Sequence, residues 1–188
     1  LEPGKPCAGL CEGIGSYQCV HYHDDSQCVD PFVDKKGVGV RCGGNSLLPE
    51  TGQYDCFGIA YGYGCIIEKE NPFFGQDGQF ITNPFDYQDN IDGTITDFIT
   101  NLTWQKCSMG LSGIDCANGN ITQDSWNNAI LACESLNQIS LAGLSDWRLP
   151  TDNELISLVN YGAVYPAIEK YYFPETSSDS YWTQNAMT

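Results

Sequence analysis

The sequence predicts an α+β protein in two parts: a disulfide-rich module of loops and short strands over residues 1–85, then a domain of scattered strands and two helices over residues 86–188. Three observations predict it. Seven of the ten cysteines fall within residues 1–65, where Gly and Pro are frequent and apolar residues never recur at helical spacing. Helix signals mark two later stretches, about 122–138 and 152–161. Around them, short alternating segments read as strands.

The composition is 41% hydrophobic and 12% aromatic, enough to bury a core. No apolar run approaches the roughly 18 residues of a membrane-spanning helix, so membrane insertion is not expected. Eight basic residues against 24 acidic ones leave a formal charge of −16. That excludes nucleic acid as a partner, because neutralising phosphate needs clustered Lys and Arg. It suits a soluble surface, and also a chain that uses divalent cations. The chain begins at Leu1 without a signal peptide, as a processed or a trimmed chain would. Ten cysteines place it in an oxidising compartment outside the cytosol. Zinc is the competing reading, and it fails because no C-x-x-C pair exists; the same absence removes c-type haem attachment.

In the N-terminal part, strands are expected over residues 37–41 and 57–67. Cys7, Cys11, Cys19, Cys28, Cys42, Cys56 and Cys65 are odd in number, so at least one pairs elsewhere or stays free. His21, His23, Asp24 and Asp25 resemble a metal-ligand set, with the two imidazoles on one side of a strand; the alternative is a polar loop between Cys19 and Cys28. Tyr54, Phe57, Tyr61 and Tyr63 form either the core of a small module or an exposed platform for sugar rings or protein. Phe73, Phe74, Phe80 and Phe85 read as a connector that packs against the second part.

The C-terminal part opens with carboxylates around a glycine. Asp89, Asn90, Asp92 and Asp97 are candidate calcium ligands, since calcium takes six to eight hard oxygens. The spacing does not fit an EF-hand, because the twelfth position would be Ile99. The alternative is an Asp-Gly turn over residues 90–93 that joins two strands. Residues 102–106 alternate as a half-buried strand with Trp104 in the core. Cys107 and Cys116 bracket a Gly-containing loop and are expected to pair, and Asn118-Gly119 marks a tight turn.

Thr122 is the expected cap of the first helix, whose buried face carries Trp126, Ala129, Ile130, Cys133 and Leu136. Cys133 requires a partner from the N-terminal part or from beyond residue 188, or is a buried thiol. Trp147-Arg148-Leu149-Pro150-Thr151 then leads into the second helix. Pro150 holds Leu149 extended, and Thr151 with Glu154 makes a capping box. Arg148 is expected to serve an ion pair or backbone carbonyls. A last strand is expected over residues 180–183, around Trp182.

Asp92-Gly93-Thr94-Ile95-Thr96-Asp97, Leu102-Thr103-Trp104-Gln105-Lys106-Cys107, Trp126 with Cys133, the stretch from Leu141 to Thr151 with Glu154, and Tyr181-Trp182-Thr183 together resemble the DUF1566 family, the C-terminal domain of the Legionella collagen-like adhesin. The resemblance covers residues 86–188 and does not extend to residues 1–85. It implies a C-type-lectin-like architecture, a curled antiparallel sheet flanked by two helices. It further implies a bacterial cell-surface or extracellular protein engaged in adhesion. Family domains continue past Tyr181-Trp182-Thr183, so further chain, or a strand from another chain, is expected to complete the sheet. Sulfated glycans are not expected as ligands, because residues 86–188 hold only Lys106, Arg148 and Lys170 as cations. The Asn101 and Asn120 sequons are unused if the source is bacterial, as the resemblance implies.

No nucleophile–base set can be built from His21 and His23, so an enzyme is not expected. The expected function is recognition or adhesion, with a carbohydrate or protein ligand. The alternative is a structural subunit of an extracellular filament or sheath, an oligomer whose partners are copies of itself.

Overall fold

Four short runs of β-branched and aromatic residues pair into one antiparallel sheet: β1 (Val20–Tyr22), β2 (Tyr87–Asp89), β3 (Thr94–Asp97) and β4 (Leu102–Gln105), in the order β1-β4-β3-β2. The computed structural model describes residues 18–22, 49–56, 65, 69, 74–80 and 83–185. The expected strand at 37–41, that at 57–67 apart from Cys65, and Cys7, Cys11, Cys28, Cys42, His23, Asp24, Asp25, Phe57, Tyr61, Tyr63 and Phe73, lie outside these residues.

The Asp-Gly turn forms as expected. Ile91 and Gly93 take positive φ values of 63° and 91°, and the chain reverses so that Asp89 faces Ile95. β4 differs from expectation: all four of its residues are buried, where alternation predicted two. Leu102 and Trp104 enter the core, while residues 18–19 cover the end of the strand, with Gln18 Nε2 donating to the Gln105 carbonyl at 2.6 Å.

Two apolar clusters result. Val20, Tyr87, Ile95, Leu102, Trp104, Leu158, Ile168 and Phe173 form one. Cys19, Trp126, Ala129, Cys133, Trp147 and Leu149 form the other. The neighbours Cys19 and Val20 enter different clusters, as successive residues of extended chain do. Phe85 stacks on Tyr87 at 5.7 Å and joins the first cluster, as a packing connector should. Phe80 is half exposed, and so is Tyr54, which is not a core residue.

Within the first cluster the Tyr87 hydroxyl and Trp104 Nε1 are buried without a hydrogen-bond partner among the described residues. Burial, then the charges of Asp97 and Glu169, push the Tyr87 phenol far up, so it stays neutral. Tyr87→Phe removes a desolvated hydroxyl and keeps the ring. It is expected to raise stability by about 1 kcal/mol in urea unfolding; a loss of that size would mean that the hydroxyl has a stabilising partner.

Cys107 pairs with Cys116, as expected. Cys19 pairs with Cys133, which accounts for the odd count in residues 1–65, and Cys56 pairs with Cys65. β1 thus carries residues from the expected N-terminal module into the sheet of the second part. Asn118-Gly119 is not a turn: it is β6 (Asn118–Gly119), paired with β5 (Leu111–Ser112) across the Cys107–Cys116 loop.

Both helices are shorter than expected. α1 (Trp126–Gln138) starts four residues late and is capped by Ser125, not Thr122. The Thr122 N–H donates to the Met109 carbonyl at 2.7 Å, and the Trp182 indole donates to the Asp124 carbonyl at 2.8 Å, which holds residues 122–124 extended. α2 (Asp152–Ile156) has the expected Thr151–Glu154 capping box. It ends after five residues in a tightened turn, and the Asn160 N–H leaves to bond the Ala167 carbonyl. Residues 180–183 make no strand. Trp182 and Trp126 exchange indole bonds with the Asp124 and Thr183 carbonyls, and the Gln184 N–H donates to Pro150.

Before α2, Asn137 holds both backbone groups of Trp147, and β1 bridges Arg148 through two backbone bonds. Arg148 serves both expected roles. It makes two 2.8 Å bonds to Glu154 and one to the Leu149 carbonyl. Burial raises the Glu154 carboxyl, but the Arg148 hydrogen bonds, the Thr151 N–H and the Arg148 charge outweigh it and hold the group low. A lowered folded value contributes stability above the unfolded value, near 4.3, and loses it as pH falls through the folded one. At pH 7, Glu154→Gln is expected to lose about 2 kcal/mol, less than a fully buried pair, because Arg148 is 36% exposed. The gap to wild type should close on acidification in urea titrations; a gap that stays constant down to pH ~2 argues against the ion pair as its source.

Candidate functional site

After α2 the chain runs without regular structure from Ser157 to Tyr181, and this stretch builds a groove of about 400 Å³. Leu158 and Ile168 are anchored in the first cluster and, with Leu155, Val159 and Pro166, give the groove an apolar floor. Ser177, Asp179 and Tyr181 form a polar rim. Asp179 accepts from Gln123 Nε2 at 3.1 Å and from the Ser177 hydroxyl. The Tyr181 hydroxyl bonds Ser108 Oγ at 2.8 Å and accepts from the Ser177 N–H. Burial, with Asp179 adding to it, pushes the Tyr181 phenol up, so the rim offers a neutral hydroxyl beside one carboxylate.

At the mouth stands Tyr165, 84% exposed, with a left-handed backbone and a cis bond to Pro166. Lys170 Nζ donates to its carbonyl at 2.9 Å, bracing the loop. Val164, Tyr161 and Tyr171 are exposed nearby in sequence. An apolar floor, a hydroxyl-rich rim and a projecting ring suit a ligand with one apolar face and one polar edge.

The described residues among those expected to bind metal make other bonds, and His23, Asp24 and Asp25 lie outside the described residues. Asp89 pairs with Lys106 at 2.7 Å, and this bond, against some desolvation, lowers its carboxyl. Asn90 bonds the Thr94 and Thr96 hydroxyls, and Asp92 accepts from the Thr94 N–H and hydroxyl. Asp97 lies opposite Tyr87, at the far end of the hairpin from the turn. It accepts from Ile99, Thr100 N and Thr100 Oγ1, yet burial still raises its carboxyl. His21 bonds Asp146, and its ring lies 6.4 Å from that of Trp147. Among the described residues no three His, Cys, Asp or Glu side chains come together as a metal site.

Trp104, Trp126, Trp147, Leu149 and Pro150 are buried, Thr151 caps α2, and Trp182 packs on the second cluster. The groove itself was missed. Its signal was present in the Tyr- and Pro-rich stretch from Tyr161 to Pro174, which is apolar but has neither helix nor strand period.

The family model for the Lcl C-terminal domain matches residues 93–188, just over half of the 188-residue chain. No curated protein and no solved structure matches it. The matched segment runs from the Gly93 turn through both helices and the whole groove-forming stretch, and the chain belongs to the Lcl C-terminal domain family.

Proposed function

We propose that this is an extracellular, surface-associated recognition protein of adhesin type, and that its groove holds a carbohydrate ring or an apolar side chain of a protein ligand. The observation that carries the reading is the apolar floor beside the exposed Tyr165. The family's surface association and the disulfides support the setting. No described helix is long and apolar enough to cross a membrane. A four-stranded antiparallel sheet and two helices in one chain are compatible with a C-type-lectin-like arrangement. Binding rather than catalysis is the role read here. Of the three cations in residues 86–188, Lys106 and Arg148 are in ion pairs, so a sulfated ligand finds little to hold it.

Ala167 is exposed at the groove, and only its carbonyl is bonded. Ala167→Arg fills the groove without touching the core. Binding on glycan and matrix-protein arrays should fall about tenfold with an unchanged melting temperature. Retained binding would move the site elsewhere. A second reading, self-assembly, is favoured by the exposure of Ile156, Val164, Tyr165 and Tyr171. A polymer in size-exclusion chromatography that Tyr165→Ala disperses would support it.

A further inference from the structure

We infer that a second pocket, built largely from residues before the family-matched segment, binds a neutral saccharide. This pocket, about 440 Å³ and open to solvent, is lined by Thr51, Gln53, Asp55, Gln76, Asp77 and Tyr161. All six lining side chains can hydrogen-bond, and one presents an aromatic ring. Only Tyr161 belongs to the matched segment. The inference stands apart from the groove and does not rest on it.

The pocket is braced by short-range contacts. The Tyr161 N–H donates to the Thr51 carbonyl at 2.7 Å, and the Glu50 N–H to Asn83 at 2.7 Å. Gly52 between them has φ +75° and is wedged so that a Cβ would lie 2.3 Å from Asn160 Oδ1 and 2.9 Å from the Phe85 ring. Gly78 lies against the backbone of residues 53–55, where a Cβ would meet atoms at 3.0–3.1 Å, which sets the 3₁₀ turn Asp77–Gln79 beside them. The Thr51 hydroxyl bonds Asp77 Oδ2, and Gln53 Nε2 donates to the Asp55 carbonyl at 3.0 Å. The walls are therefore preorganised, which lowers the ordering cost of binding.

What the bracing leaves over defines the ligand. Among the described residues, the Asp55 carboxylate, Asp77 Oδ1 and the Tyr161 hydroxyl have no partner. Tyr161 is 59% exposed, so its ring face is accessible. Among the described residues the lining holds two carboxylates and no cation, so it repels anions. The described lining residues include no aliphatic side chain, so they offer a purely apolar ligand no gain. A sugar matches both halves: its C–H face packs on the ring, and its adjacent hydroxyls donate to the carboxylates. A polyamine would also use the carboxylates and, by cation–π attraction, the ring face, so it is the competing ligand that the test separates from a sugar.

The test is saturation-transfer NMR on the full chain with methyl glycosides of glucose, galactose, mannose and N-acetylglucosamine and their β1,4-linked disaccharides. Hits are titrated against Tyr161→Ala, Asp55→Asn and Ala167→Arg. Asp55 has no side-chain partner, so Asp55→Asn leaves the fold intact, and a melting curve checks this. At least one glycoside should bind, about tenfold more weakly to Tyr161→Ala and to Asp55→Asn, and equally well to Ala167→Arg. The inference is overturned if no glycoside binds at millimolar concentration, if both pocket variants bind normally, or if spermidine binds there and no sugar does. Loss of sugar binding in Ala167→Arg alone assigns the sugar to the groove and also overturns it. Failure of Ala167→Arg on the arrays leaves this pocket untouched, so the two readings fail separately.

Discussion

Replacing Cys19 and Cys133 together with alanine is expected to lower the unfolding free energy by about 4–5 kcal/mol. The bond spans 114 residues of sequence, and chain entropy makes a cross-link worth more as the loop it closes lengthens. It ties the entry of β1 to the middle of α1, and both sulfurs lie in the second apolar cluster. Cys107–Cys116 closes a gap of only nine, so Cys107→Ala with Cys116→Ala should lose about 3 kcal/mol. The two pairs are compared by urea unfolding under oxidising conditions, with the other disulfides intact. Equal losses would mean that local strain or packing, not chain entropy, sets the contribution. Hydrogen exchange supplies a second readout: amides of β1 should lose protection in the Cys19/Cys133 variant and keep it in the other.

Trp104→Ala is expected to lose about 4 kcal/mol. Trp104 is fully buried and stands opposite Ile95 on one side and Val20 on the other, so its ring spans three strands. Its indole N–H has no partner among the described residues, so truncation removes no hydrogen bond to them and the loss is transfer plus cavity. Trp104→Phe should therefore lose much less, about 1–2 kcal/mol. Denaturant unfolding of both variants checks the ratio. A Trp104→Ala loss under 1 kcal/mol would mean that the cluster collapses onto the gap.

Several elements were legible because their energy is local. The Thr151–Glu154 capping box spans four residues, the 90–93 turn needs one glycine at positive φ, and Cys107–Cys116 closes a gap of nine in sequence. Periodicity likewise placed Trp126, Ala129 and Cys133 on one buried face. The lengths of the helices were not legible. Thr122 reads as a helix cap and Asn160 falls within the expected second helix, but their N–H groups find partners at Met109 and Ala167, and a distant carbonyl satisfies a donor as well as a helical one. The acidic turn read equally as a calcium loop, because composition places carboxylates near one another in sequence without saying what each one bonds. In the structure Asp92 bonds Thr94, Asp97 bonds Thr100, and Asp89 meets Lys106.

By itself the sequence determined an α+β, disulfide-linked, strongly acidic chain, its family, the position of its hairpin and the start of its second helix. Tertiary structure alone decided that β1 enters the sheet, that Cys19 finds Cys133, and that two pockets form around the Tyr-rich stretch. The physical reason is range. Caps, turns and periodicity act across a few residues of chain, whereas a disulfide across 114 residues, or a pocket that joins Thr51 to Tyr161, exists only once the core has brought those segments together.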